Sequence, residues 1–143
     1  MPLPGQIFRH ERFYRNELGE WEAKYLVALA YTPGRDVIYR MLTSRRNGRP
    51  EAPPCYHGDP YPGYFIGVLG GPLTQPTWID LRAADDYDSD EFEVGIANVT
   101  LRLIGDLPQA VLCEVLACTA NADDTSHQQS QALLDQKARL DCP

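Results

Sequence analysis

Lys24, Arg40, Arg45, Arg46 and Arg49 place five cations in the first third of the chain, with Thr43 among them and His57 shortly after. Lysine and arginine neutralise developing negative charge, arginine through a two-pronged fork and lysine as a point charge. A threonine hydroxyl can hydrogen-bond an oxyanion. A histidine titrates near neutrality and can take or give a proton. Together these types supply charge stabilisation and proton transfer on an anionic substrate. His57 is the more suggestive proton carrier, because Tyr56, Asp59 and Tyr61 flank it in a glycine-containing loop. His10 is the other candidate, since His127 falls in a predicted terminal helix. The same residues have plain structural uses. In that reading His57 fixes a turn, the arginines form a solvated loop, and Lys24 guards a strand edge. Tyr56, Tyr61, Tyr64 and Phe65 could stack on bases or simply pack their loop inward.

Other chemistries find little support. There is no Gly-rich phosphate loop, no His-Glu-x-x-His and no Gly-x-Ser-x-Gly. Cys55, Cys113, Cys118 and Cys142 form no Cys-x-x-Cys pair. Zinc would need tighter Cys/His clustering, so neither a metal site nor any other cofactor is expected. An even cysteine count permits disulfides, but no secretory context favours them, and Cys113 and Cys118 read as small core residues. The acids at 85, 86, 88, 90, 91 and 93 read as a solvated loop rather than a metal loop.

The elements that must position these residues begin with a strand over Gln6–Phe13 and a polar turn at Glu17–Trp21. Lys24–Tyr31 is a nearly continuous run of β-formers, as in a buried strand. Thr32-Pro33-Gly34-Arg35-Asp36 is turn chemistry, and Val37–Thr43 completes a hairpin. Residues 45–63 form a long proline-rich loop. Tyr64–Leu69 and Thr77–Leu81 read as short strands, and Phe92–Ile104 as one or two more. The period then changes. Asp106 can cap a helix with Pro108 in its first turn, and Leu107, Val111 and Val115 recur at four, beside Leu112 and Leu116. A capping box from Thr125 to Gln128 can open a second helix to Leu140. The expected architecture is mainly β, of α+β class: one domain over 1–143, a small antiparallel barrel over 5–105 with its long loop at 45–63, and a helical segment over 106–143.

The order of pieces resembles the PemK/MazF toxins of bacterial toxin–antitoxin pairs. Gly5-Gln6-Ile7-Phe8 looks like their opening strand, and Lys24-Tyr25-Leu26-Val27-Ala28-Leu29 like their basic residue followed by an apolar strand. Met41-Leu42-Thr43-Ser44 is similar to the hydroxyl-ended strand that follows, and Gln75-Pro76-Thr77-Trp78-Ile79-Asp80 to their late strand. The resemblance covers about 5–82 and the helix after 106. It implies an SH3-like barrel with a C-terminal helix, metal-independent cleavage of single-stranded RNA, a homodimer and an antitoxin-like protein partner. Lys24, Thr43 and His57 would then carry catalysis, and Arg40, Arg45, Arg46, Arg49 and Tyr56 would bind RNA. Where the family usually has an arginine before a proline, this chain has Lys24 before Tyr25. Some members carry an arginine and an acid before the late strand, where this chain has Pro72 and Thr74. These departures leave a second expectation open, a non-enzymatic binding module on the same barrel that grips a protein.

Charge is unevenly spread. Residues 1–50 hold nine Lys/Arg against five Asp/Glu, a net +4, while 51–143 hold four against fifteen, a net −11. A local basic face is therefore compatible with a net charge of −7. No apolar run is long enough to span a bilayer and no signal peptide is visible, so no membrane contact and a cytoplasmic location are expected. A dimer is expected independently, because the helix over Leu107–Cys118 carries two apolar stripes and one could face a symmetric partner.

Overall fold

Three long strands follow one another between Gln6 and Thr43, and the rest of the chain is arranged around them. The computed structural model describes residues 2–84 and 87–143. Strands β1 (Gln6–Arg15), β2 (Trp21–Tyr31) and β3 (Asp36–Thr43) form an antiparallel meander, with Ile7 opposite Val27 and Leu26 opposite Met41. Four short strands and one longer follow: β4 (Cys55–Tyr56), β5 (Gly63–Gly67), β6 (Thr77–Asp80), β7 (Tyr87–Asp88) and β8 (Leu101–Asp106). Their spatial order is β4-β5-β6-β3-β2-β1-β8, all antiparallel, with β7 also paired to β3. Among the described residues no ladder joins β4 to β8, so the sheet is open. The class is α+β, with three helices: α1 (Ser89–Ala97), α2 (Gln109–Ala120) and α3 (His127–Arg139).

The centre of the sheet is apolar on both faces. Alternation along each strand sends Val27, Leu29, Ile38 and Leu42 to one side, where Leu112, Val115 and Leu116 of α2 and Leu133 of α3 cover them. Leu26, Ala28, Val37 and Tyr39 go to the other side, against Phe92 of α1 and Leu101. Only the inner halves of β1 and β2 are sandwiched in this way. Their outer halves, from Arg12 to Lys24, run beyond the core as an arm whose register shifts between His10 and Tyr14. At its tip the Asn16 side chain accepts from the backbone N–H groups of Leu18 and Glu20, which closes the turn.

Several expectations are corrected. The described part of the acidic run is not a loop. Asp88 caps α1, accepting from the N–H of Asp90 and Glu91, and the acids stand at the helix end where the dipole favours them. Asp85 and Asp86 lie outside the described residues. Residues 92–97 are accordingly helical rather than strand, with Phe92 and Ile96 one turn apart on the buried face. Gly95 lets α1 approach the sheet: a Cβ there would stand 2.9 Å from Leu101 Cδ1. Pro108, not Asp106, occupies the N-cap of α2, and the capping box of α3 is Ser126 with Gln129, one residue later than expected. The α3 helix packs on α2, so the α2 stripes are covered largely within one chain, and the helical reason for a dimer falls away.

The cysteines are also corrected. Cys55 bonds Cys118, and Cys113 bonds Cys142. Five residues along α2 turn the chain by about 140°, net of a full turn, so its two cysteines face different neighbours. Cys118 meets β4 in the long loop, and Cys113 meets the tail after α3. The bridges close loops with sequence separations of 63 and 29 residues. On the chain-entropy view each contributes about 3–4 kcal/mol. Non-reducing mass spectrometry should therefore find no free thiol. With chelator present, Cys142→Ser should lower the unfolding free energy by about 3 kcal/mol, seen as an earlier urea midpoint. An unchanged midpoint would show that the tail bridge does not constrain the unfolded chain.

Candidate functional site

The end of the β2–β3 ladder marks the site. Leu26 opposite Met41 is its outermost pair, and beyond it β3 turns to β6, with Thr43 opposite Trp78, while Lys24 and Thr43 line one cleft. Beyond that pair opens a cleft of about 330 Å³, lined by Ala23, Lys24 and Tyr25, by Leu42 to Arg45, and by Pro72 to Gln75 with Thr77. Among the lining residues are two cations, Lys24 and Arg45, the hydroxyl-bearing Tyr25, Thr43, Ser44, Thr74 and Thr77, and Gln75; the Thr77 hydroxyl already donates to Gln75 O. The lining includes no carboxylate and no histidine among the described residues. Such a surface attracts an anion and can donate hydrogen bonds to it.

Arg45 is held from two sides. Its N–H donates to Thr43 Oγ1 at 3.1 Å, and its carbonyl accepts from Arg49 Nη1 at 3.1 Å. The Thr43 hydroxyl hydrogen is still available to a ligand oxygen. The arm rises from the same cleft. Lys24 Nζ lies 5.9 Å from the Tyr14 ring centroid, and the Arg15 guanidinium 4.7 Å from that of Trp21. Phe13, Tyr14, Leu18 and Trp21 are all exposed. His10, against Phe13, has its pKa lowered by burial, which outweighs the raising effects of its own backbone and of Glu11.

Of the residues expected from sequence, the structure therefore brings Lys24, Thr43 and Arg45 together. Arg46 is exposed nearby in sequence, donating to Arg49 O at 2.9 Å and pairing with Glu51. The others lie elsewhere. Arg40 is only 1% exposed, and donates to Tyr39 O and Thr125 Oγ1. Arg49 is equally buried. Tyr56 is half-buried with its ring over Gly58, where a Cβ would stand 2.0 Å from the phenolic oxygen. His57 lines a different cleft, with Nε2 2.9 Å from Cys118 O. His127 begins α3, away from the Lys24 cleft lining. Tyr25, Ser44, Thr74 and the arm aromatics were not singled out for the site; the signal for Tyr25 and Ser44 was that they adjoin Lys24 and Thr43 in sequence.

Arg49 is the pin of the long loop. It donates to Pro62 O and Arg45 O, and its Nη2 stands 3.6 Å from Asp80 Oδ1. Asp80 also receives Arg82, through Nε at 3.0 Å and Nη2 at 2.7 Å. Both guanidinium groups sit over the Tyr61 ring, at 5.4 and 5.1 Å. Trp78 Nε1 donates to Pro50 O at 3.0 Å and fastens the same loop to β6.

Compared with known family models, curated proteins and solved structures, the chain finds no match.

Burial pushes the Asp80 carboxyl upward, but the hydrogen bonds and charge of Arg82, with the charge of Arg49, outweigh it and hold the pKa below its ordinary value. A depressed carboxyl contributes stability above its unfolded pKa of about 3.9, and that contribution is lost as pH falls through the folded value. Asp80→Asn should destabilise by about 3 kcal/mol at pH 7, since it leaves Arg49 buried without its counter-charge. It should also flatten the stability profile below about pH 4. Equal stability of the two proteins at pH 7 would show that the Arg49 backbone bonds suffice alone.

Proposed function

We propose that the chain is a PemK/MazF-like toxin that cleaves single-stranded RNA at the Lys24 cleft. The barrel of that family would here be open between β4 and β8, and a cytoplasmic location, a homodimer and an antitoxin-like partner belong to the same reading. The observation that carries it is the cleft itself. Two cations and several hydroxyl-bearing residues line one cavity with no carboxylate among its described lining, at the foot of an arm with exposed aromatic side chains. Backbone neutralisation by cations, with bases stacked on aromatic rings, is how proteins hold single strands.

In this reading the RNA 2′-oxygen attacks the adjacent phosphorus, forming a cyclic phosphate and releasing the 5′-oxygen of the next nucleotide. Arg45 and Lys24 stabilise the charge that builds on the non-bridging oxygens, and the Thr43 hydroxyl donates to one of them. The 2′-hydroxyl proton passes to water. The Lys24 ammonium protonates the departing oxygen and is then reprotonated from solvent. Neither His57 nor Arg40 has a part.

A second reading, the non-enzymatic binding module, is favoured by one observation. No histidine or carboxylate lines the cleft to take the 2′-hydroxyl proton, while Leu18 and Trp21 offer an apolar tip to a protein.

The two are separated by RNA polarisation across salt together with a cleavage assay in chelator. The nuclease reading expects cleavage without added metal, and a fall of about 100-fold or more in Lys24→Ala. The same variant should reduce the slope of log affinity against log salt by about 0.7, one phosphate contact fewer. Trp21→Ala should weaken binding by about 1–3 kcal/mol. Salt-dependent binding without cleavage in chelator would overturn the nuclease. Binding that ignores salt, or no binding, would remove RNA and leave the module that grips a protein.

A further inference from the structure

Cys55, His57 and Cys118 bring two sulfurs and an imidazole nitrogen within 4.8 Å of one another, outside the Lys24 cleft. His57 Nε2 lies 3.5 Å from Cys55 Sγ and 3.6 Å from Cys118 Sγ. In tetrahedral zinc sites the metal stands about 2.3 Å from sulfur and about 2.0–2.1 Å from nitrogen, so a sulfur–nitrogen edge measures about 3.6 Å. Two edges of such a site are therefore already at length. The third, between the sulfurs, is closed by the disulfide and must open to about 3.8 Å. The Cα atoms of the two cysteines are 5.9 Å apart, and Cys55 stands on the two-residue strand β4 within the long loop.

We infer that this corner is a redox-gated zinc site: disulfide-bonded when oxidised, and a Cys₂His site for Zn²⁺ when reduced. The balance is simple. Two molecules of a low-molecular-weight thiol give up two electrons and two protons, become one disulfide, and convert Cys55–Cys118 to two thiols. Zinc then binds both sulfurs as thiolates, and their two protons go to solvent. His57 now bonds Cys118 O through Nε2. On zinc binding the metal replaces that proton, which moves to Nδ1. The fourth position opens on the cleft of about 330 Å³ that Pro53, Tyr64, Glu114 and Asn121 share with the three ligands. Water fills it, or Glu114 after release from the Tyr64 hydroxyl that now donates to it at 2.5 Å.

His57 and Cys55 belong to the long loop and Cys118 to α2, so either linkage ties loop to helix. Zinc would preserve that tie in a compartment that keeps thiols reduced, where a disulfide is not maintained.

The test uses the full chain and does not depend on the RNA reading. Reduced protein is titrated with cobalt(II), then with zinc in competition with a chromophoric chelator, beside oxidised protein. The expected result is one metal per reduced chain, none for the oxidised chain, and the thiolate-to-cobalt absorption with visible bands of a tetrahedral site. Cys55→Ser should lose the tetrahedral spectrum. His57→Ala should weaken zinc at least about 10-fold, the lower end of what loss of a supporting partner costs. Cys113→Ser combined with Cys142→Ser should leave the spectrum in place. Circular dichroism follows the fold throughout. If reduction loosens the protein, zinc should restore its signal. Absence of zinc uptake by the reduced chain, equal uptake by His57→Ala, or dependence on Cys113 and Cys142 would each overturn the assignment.

Discussion

The central strands β2 and β3 are apolar on both faces, and no surface of that kind can be left against water. Leu26 and Val27 point in opposite directions, as do Val37 and Ile38, and all four are buried. Burying each such side chain is worth roughly 1.5–3 kcal/mol, so the sheet demands a cover on each side. The α2–α3 pair supplies one and the shorter α1 supplies the other. The requirement also sets where the sheet stops being core. Once β1 and β2 pass Lys24 their residues turn polar or aromatic, and the hairpin continues as an arm with nothing packed on it.

Two interior arginines show how the irregular half of the chain is fixed to this frame. Arg40 sits in the apolar face of β3 and donates to Thr125, whose hydroxyl donates to Thr119 O. It thereby ties the sheet to the turn between α2 and α3. Arg49 plays the corresponding part for the proline-rich loop, whose backbone can make few ladder bonds of its own. Its guanidinium gathers the carbonyls of Arg45 and Pro62 and stands beside Asp80. Gly63 has no side chain because the Arg49 stem fills that place, 2.6 Å from where a Cβ would lie. A residue whose charge suggests a phosphate contact thus spends it on loop carbonyls, and in doing so positions Arg45, which does face the cleft.

The strands were legible because alternation and β-branched runs state both length and facing. Lys24 and Thr43 stood out on those strands as a cation and a hydroxyl and through the resemblance to the toxin family, not through strand facing. What sequence could not convey was where side chains go once the chain is irregular. His57 and the arginines of the long loop are close to Thr43 in number, yet the loop folds over β6 and carries His57 to α2. The α1 helix was missed because Val94 and Ile96, and then Val99, Leu101 and Leu103, alternate as strands would, while the helical pair Phe92 and Ile96 is only one turn long. The run of acids that suggested a loop is the N-terminal signature of that helix, with Asp88 as its cap. The disulfides escaped because their partners lie 63 and 29 residues apart, and spacing along α2 shows only that its two cysteines diverge.

A protein with a net charge of −7 must hold an anionic ligand locally or not at all. At physiological salt, charges beyond about 8 Å are largely screened, so the chain total matters less than the cavity walls. Those walls carry Lys24 and Arg45 without a carboxylate, and the acids that dominate the net charge stand on other elements, at the head of α1 and around the α2–α3 turn. The preference of such a cleft for an anion rests on which charges are excluded as much as on which are present. The arm adds rings rather than charge: Arg12, Arg15 and Lys24 share it with Glu17, Glu20 and Glu22, so its charges balance, while Phe13, Tyr14 and Trp21 are exposed along it. In the proposed reading a phosphate would sit in the cleft and the neighbouring bases would stack on the exposed rings of the arm, a division of labour that a free phosphate would not need.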